Sequence, residues 1–217
     1  MKSKLSYASK LINIQSKIPD DILSLLKKES NYILKNEDQT IKYNKHLAGN
    51  IEKEFSLEKY RKILEPIIYK LAYEFIEHSD DDNCLCDKDA NLYLKDIWIN
   101  FQKKYEFNPL HDHSGIFSFV LWIQIPYDLE EELNLANSKN SRVPSNSLFE
   151  FVFADFMGKV GTSRIYVDKS YEGTIMLFPS SINHLVYPFY TSDEYRISIS
   201  GNLIWSGKRK NNVINYQ

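Results

Sequence analysis

A chain of 217 residues with 43% apolar side chains can bury one good hydrophobic core, and its length predicts a single domain over 1–217. Lysine plus arginine number 27 against 29 for aspartate plus glutamate, with the basic residues scattered, so no positive field exists to hold a polyanion and no nucleic-acid partner is expected. No run of eighteen apolar residues occurs, which argues against a membrane partner. The start, "MKSKLSYASKLINIQSK", lacks the apolar centre of a secretory leader. Cys84 and Cys86, the two cysteines, match neither a zinc-ribbon spacing nor a disulfide framework, so a cytoplasmic protein is expected.

In chain order, residues 1–80 carry helical periodicity. Pro19, Asp20 and Asp21 give a start signal for a short helix carrying Ile22, Leu23, Leu25 and Leu26. "HLAGNIEKEF", residues 46–55, shows no clear period. Beyond it Leu57, Tyr60, Ile63, Leu64, Ile67, Ile68, Leu71, Phe75 and Ile76 recur every three or four residues and draw one apolar stripe along an amphipathic helix. Ser56 is its expected N-cap, and Pro66 is expected to kink or divide it.

After the polar stretch "HSDDDNCLCDKDA" the period changes to two. Strands are predicted over 92–103, 116–125, 148–153, 163–167, 174–178, 185–187 and 195–205. Turn signals separate most of them: Asn108-Pro109, Pro126-Tyr127-Asp128, Gly158, Gly161, Gly173, Pro179-Ser180-Ser181 and Thr191-Ser192-Asp193. Many short strands with regular punctuation predict an α+β, predominantly β fold: an antiparallel sandwich or barrel with the N-terminal helices packed on one outer face. The irregular stretch 128–147 is too polar for core and reads either as a lid over the barrel mouth or as a solvated loop.

Two histidines stand out in "NPLHDHSG", residues 108–115. In extended backbone His111 and His113 project to the same side while Asp112 points back, so both imidazoles can reach one metal ion. The plainer alternative is an exposed polar pair in a turn after Pro109. His184 follows a Pro-Ser-Ser turn and either faces the barrel mouth or sits satisfied in the core. In "YRISISGNLIW", Arg196, Ser198, Ser200 and Asn202 share one strand face and Ile197, Ile199 and Leu203 largely the other. A solvated face would ordinarily show Lys, Glu and Thr, whereas a guanidinium beside a hydroxyl suits a carboxylate inside a cavity. Tyr105, Asn100, Trp122 and Tyr166 are candidates for the cavity lining, with core packing the simpler role for each. Trp98 and Trp205 are assigned to the core.

Taken in order, H-x-H, then G-x-x-x-x-F-P-S-x-x-x-H, then R-x-S-x-S-x-N resemble the 2-oxoglutarate- and iron(II)-dependent oxygenase family, in particular the small prolyl-hydroxylase-like oxygenases of phage and marine bacteria. The resemblance covers roughly 98–202, and "HLAGNI" upstream is similar to that group as well. It implies a double-stranded β-helix, a jelly-roll or cupin-like core over 91–206, with iron near one open end. It further implies Fe(II) as cofactor and 2-oxoglutarate as co-substrate, His111 as first ligand and His184 as the distal one. Arg196 with Ser198 would seat the co-substrate's C5 carboxylate, and Asn202, further along the same strand face, is expected to bind the co-substrate as well. The family's second ligand is ordinarily the acid of H-x-D or H-x-E, and here position 113 is histidine. Strand alternation favours His113; Asp112 would serve only where the backbone bulges, or would act by orienting an imidazole. The implied activity is a dioxygenase that hydroxylates a small-molecule or peptide substrate. Two alternatives are a non-catalytic jelly-roll module, binding a metal or ligand or serving in a phage structure, and a zinc hydrolase built on the same histidines. No motif specifies the primary substrate or an oligomeric state.

Overall fold

The computed structural model describes residues 13–79, 85–86, 90–154 and 157–206. Its N-terminal part contains β1 (Ile14–Lys17), α1 (Asp20–Lys35), β2 (Lys53–Ser56) and α2 (Arg61–His78). Eight further strands follow: β3 (Asn91–Gln102), β4 (Asn108–His111), β5 (Phe117–Gln124), β6 (Phe149–Ala154), β7 (Val160–Ile165), β8 (Thr174–Pro179), β9 (Asn183–Val186) and β10 (Arg196–Ser206). These eight divide equally between two antiparallel sheets, β8-β5-β10-β3 and β4-β9-β6-β7, which is a jelly-roll. β1 and β2 extend the larger sheet at its two edges.

Alternation along the strands decides what each face buries. On the outer face of the larger sheet, Ile97, Ile99 and Phe101 of β3, Phe119, Leu121 and Ile123 of β5, and Ile197 and Ile199 of β10 meet the helices. Leu26 and Ile33 of α1 and Leu64, Ile68, Leu71 and Phe75 of α2 complete that core. Burial of each such side chain contributes about 1.5–3 kcal/mol, so this layer carries much of the stability. A second, smaller core lies between the sheets, where Val120, Trp122, Met176 and Phe178 face Phe149 and Phe151. Along β10, β3 and β2 the same inward face is polar, carrying Arg196, Ser198, Ser200, Asn100, Gln102 and Glu54 around a cavity. The helices therefore cover one face, as expected, and the cavity lies on the other.

Several local expectations give way. The first eighty residues are not helical throughout: β1 pairs with β8 and β2 with β3, both too short at four residues to print a period on the sequence. Ser56 ends β2 and does not cap α2, which begins at Arg61 behind a 3-10 turn, Glu58–Tyr60. α2 runs undivided through Pro66, near its N-terminal end. A proline there forfeits one amide bond, and the buried stripe Leu64, Ile68 and Leu71 holds the helix together. Asn108-Pro109 belongs to β4, an edge strand, where a missing amide donor is tolerated.

The stretch 128–147 does not line the cavity as a lid would; most of it is exposed turn, as a surface loop would be. It opens with a short helix, α3 (Leu129–Leu133), whose first amides are capped by Asp128. Its polarity does not keep it out of the interior. Glu132 is fully buried because its carboxylate accepts from the backbone amides of Tyr190 and Thr191 and from the Thr191 hydroxyl. Among the described residues no helix is long and apolar enough to cross a membrane.

Candidate active site

β4 and β9 are neighbours in the smaller sheet, and their register sets His111 directly opposite His184. Two residues past His111 the chain leaves β4, held where the His113 amide donates to the Ser180 carbonyl at 3.0 Å, and the third imidazole turns to the same point. Ring centroids lie 4.3 Å apart for His111 and His184, 4.9 Å for His111 and His113, and 5.1 Å for His113 and His184. One nitrogen from each ring lies within 4.8 Å of the others. Three nitrogens about 2.1 Å from one ion stand about 3 Å apart, so small inward ring rotations would bring them to ligating positions. Asp112 is exposed and outside this group.

The rings are prepared as neutral donors. His111 Nδ1 meets the Pro109 carbonyl at 2.7 Å and His184 Nδ1 meets the Ile182 carbonyl at 3.0 Å, each the carbonyl two residues earlier. A carbonyl partner assigns the proton to Nδ1 and leaves the Nε2 lone pair free. Burial drives the imidazoles away from protonation: His184 falls to about 3 and His113 to about 4, and His111 is lowered as well, with the neighbouring rings adding to the shift in His113 and His184. Phe149 stacks on His184 at 5.3 Å and helps keep water from that side.

Across the cavity Arg196 is 3% exposed and lines the wall with Ser198 and Ser200. Its guanidinium meets only neutral acceptors. Nε and Nη2 both donate to Gln102 Oε1, at 3.1 and 2.8 Å, Nη2 also to the Tyr187 carbonyl, and Nη1 to Tyr127 Oη and the Ser147 carbonyl. Ser147 reaches that position in a left-handed conformation, φ 65°, an uncommon one outside glycine. No carboxylate among the described residues pairs with Arg196. Among the described residues the buried positive charge is fully hydrogen-bonded and has no counter-ion.

Asn202, grouped with Arg196 and Ser198 by alternation, does not line the cavity. Its Oδ1 accepts from Ser118 Oγ at 2.8 Å, and the pairing shifts register just beyond it, between Asn202 and Leu203. Asn100 and Trp122 do line the cavity, whereas Tyr105 and Tyr166 are 61% and 46% exposed and stand outside it. Trp98, assigned to the core by sequence, is buried yet faces the cavity, stacked on Tyr43 and donating to Asn100 Oδ1 at 3.0 Å. The segment "HLAGNI" supplies Leu47, Ala48, Gly49 and Ile51 to the lining. Gly49 sits close against Asn108, and a β-carbon there would lie 2.1 Å from Asn108 Oδ1, so that side chain would have to move. Sequence reasoning missed Gln102, Tyr127 and Glu54. Gln102 follows from alternation after Asn100, but the other two carry no local signal.

Three imidazoles at one mouth of a jelly-roll, facing a buried guanidinium across a partly polar cavity, make a candidate metal site. Residues 96–202, just under half of the chain, match the family model described as "Putative 2OG-Fe(II) oxygenase", whose description names Fe(II) and 2-oxoglutarate, and this match supports an oxygenase. The crystal structure of a Pseudomonas putida prolyl-4-hydroxylase superposes with a TM-score of 0.52 at 13% identity, over 90% of this chain and 93% of that one, which supports the shared fold. An oxidoreductase of the 2OG-Fe(II) oxygenase family from Burkholderia pseudomallei aligns at a TM-score of 0.36 and 15% identity, over 52% of this chain and 44% of that one, and nothing rests on it. No curated protein sequence matches the chain.

Proposed function

We propose that His111, His113 and His184 hold the iron and that Arg196 with Ser198 seats 2-oxoglutarate, in a hydroxylase built as one domain over 1–217. The observation that carries this is the convergence of three neutral imidazoles opposite a buried guanidinium that has no counter-ion among the described residues. Nitrogen donors with free lone pairs fit Fe(II), and neutral ligands leave its charge for an anionic co-substrate to offset. His113 takes the position that an acid holds in the usual motif, while Asp112 faces solvent.

Bound iron and 2-oxoglutarate would supply the oxidising chemistry: one oxygen atom enters a substrate C–H bond as hydroxyl, and succinate and carbon dioxide leave. The chain's own residues position and shield. The Nε and Nη2 edge of Arg196, now spanned by the single Gln102 oxygen, is the fork that accepts a carboxylate bidentately once the Gln102 side chain yields. Tyr127, Ser147 and Tyr187 hold the guanidinium from behind, so its direction is fixed before the co-substrate arrives. Val120, Phe149 and Phe178 supply apolar walls. A small-molecule or peptide substrate and a cytoplasmic location complete the proposal.

Succinate release from the full chain loaded anaerobically with Fe(II) and then given 2-oxoglutarate and oxygen tests it. Turnover is expected in the wild type and none in His184→Ala, with iron content lost in that variant. Arg196→Ala should lower kcat/KM for 2-oxoglutarate by about 100-fold or more while leaving iron bound. Full zinc occupancy after iron loading, or Arg196→Ala turning over normally, would overturn the assignment.

A further inference from the structure

Glu54 carries a carboxyl group that the chemistry above leaves unused. It sits on β2 opposite Asn100, is 1% exposed, and lines the cavity beside Gly49 and Asn108. Its surroundings offer almost nothing to a negative charge. Oε2 accepts one long bond, 3.3 Å, from Asn44 Nδ2, and among the described residues no cation pairs with the group and no donor reaches Oε1. Gly49 packs close to that oxygen, a β-carbon there standing 3.3 Å from it, with the Asn108 side-chain oxygen beside it.

The neighbouring charges deepen the demand for a cation. Glu106, whose carboxylate is tied to the amides of Glu52 and Lys103, adds negative potential. Burial first and Glu106 second push Glu54 up to about 8. A buried carboxyl without a partner is costly when charged, and a desolvated counter-charge is what removes that cost. Arg196 lies on the same floor, two strands away along β2-β3-β10 and one inward row along, which is about 10 Å across the sheet. The cavity thus carries a buried guanidinium and, about two strands away, a buried carboxyl group.

We propose that Glu54 binds an ammonium group of the primary substrate, so that the enzyme hydroxylates a small amine-bearing molecule of the amino-acid class. This rests on the oxygenase reading of the cavity. Glu54 lies deep behind residues 47–51, where a free amino acid or the end of a lysine-like side chain reaches and the middle of a folded partner's backbone does not. The balance of the reaction is unchanged: the C–H carbon gains one atom of dioxygen, succinate gains the other, and carbon dioxide leaves.

The probes are the free L-amino acids, their Nα-acetyl derivatives, and Nα-acetyl-lysine amide, which keeps only a side-chain ammonium. Succinate release is measured with the iron-loaded full chain, and the melting temperature of the metal-free chain is measured with each probe. At least one ammonium-bearing probe should raise succinate release about tenfold over the probe-free rate and raise the melting temperature, and its acetylated, neutral counterpart should do neither. Whether a free amino acid or acetyl-lysine amide responds identifies which ammonium is bound. Glu54→Gln should abolish both responses while iron content stays within about twofold, and Glu54→Asp, which keeps the charge but withdraws it, should retain a weakened response.

Equal stimulation by neutral probes, wild-type responses in Glu54→Gln, or silence from every ammonium probe would overturn the proposal. So would loss of iron in Glu54→Gln, which would place the carboxylate in the service of the metal. An ammonium- and Glu54-dependent rise in melting temperature without any turnover of 2-oxoglutarate would support the seat and remove the oxygenase reading instead.

Discussion

The outer and inner faces of the larger sheet are made by the same strands, residue by residue in alternation, yet they obey opposite rules. Ile97, Ile99 and Phe101 of β3 are buried against the helices with no polar atom among their side chains. Trp98, Asn100 and Gln102, interleaved with them, are just as buried but face Glu54, Ser198, Ser200 and Arg196. The outer face offsets the entropy of folding, and the inner face holds charge that folding alone does not favour. One strand therefore carries stability on one side and chemistry on the other, and the two are separable by mutation.

The largest expected effect is on the outer face. Phe101→Ala removes a fully buried ring that packs edge-on against Phe55 and Tyr195, and should cost about 3–5 kcal/mol in urea unfolding. The folded fraction should keep its KM for 2-oxoglutarate, and a large rise in KM would show that the faces are not independent.

Next comes Glu54, on the inner face. Its pKa is raised in the folded protein, so the stability linked to it is fully present below the unfolded value near 4.5 and is lost as pH rises towards about 8. Glu54→Gln removes that slope. Melting curves from pH 5 to 8.5 should show the variant gaining on the wild type as pH rises, by an amount on the order of a few kcal/mol. A gap that stays constant with pH would mean that the carboxyl has a partner in solution.

A smaller loss is expected from a single methyl group on the outer face. A β-carbon at Gly201 would lie 2.4 Å from the Asp96 carbonyl oxygen and 2.6 Å from a Phe119 ring carbon, so Gly201→Ala should destabilise by about 1–3 kcal/mol. The smallest stability effect belongs to Ser198→Ala, which removes a hydroxyl that accepts from Asn100 at 3.2 Å. It should cost no more than about 1 kcal/mol in stability while raising the KM for 2-oxoglutarate several-fold. Melting and steady-state kinetics on the same preparation separate the two.

Much of this contrast was legible in the chain. The period-two pattern placed β3, β5, β8 and β10 to within a residue or two, because alternation is imposed by the pleat and every residue of a long strand reports it. β1, β2 and β4 escaped, being four residues each, and with β2 went Glu54. His111 and His113 were readable as a pair because their spacing is local. Asn202 misled for the same reason: alternation put it on the face of Arg196 and Ser198, and it does share that face, but it lies beyond the cavity, where its Oδ1 accepts from the Ser118 hydroxyl. Glu132 misled in the opposite sense, since composition marks 128–147 as surface and only the amides of Tyr190 and Thr191 explain a buried carboxylate there.

The sequence by itself determined which side chains share a face, and so the layering of helices on a sheet and the division of β3 and β10 into an apolar and a polar side. That information is local, set by a backbone period and by the free energy of removing apolar surface from water. Tertiary structure alone decided which faces meet: His184 opposite His111, and Glu54 across from Asn100 on the floor that Arg196 shares. Strand order and register arise from the packing of the whole chain, because a pairing between distant segments is favoured only once everything around it is buried as well.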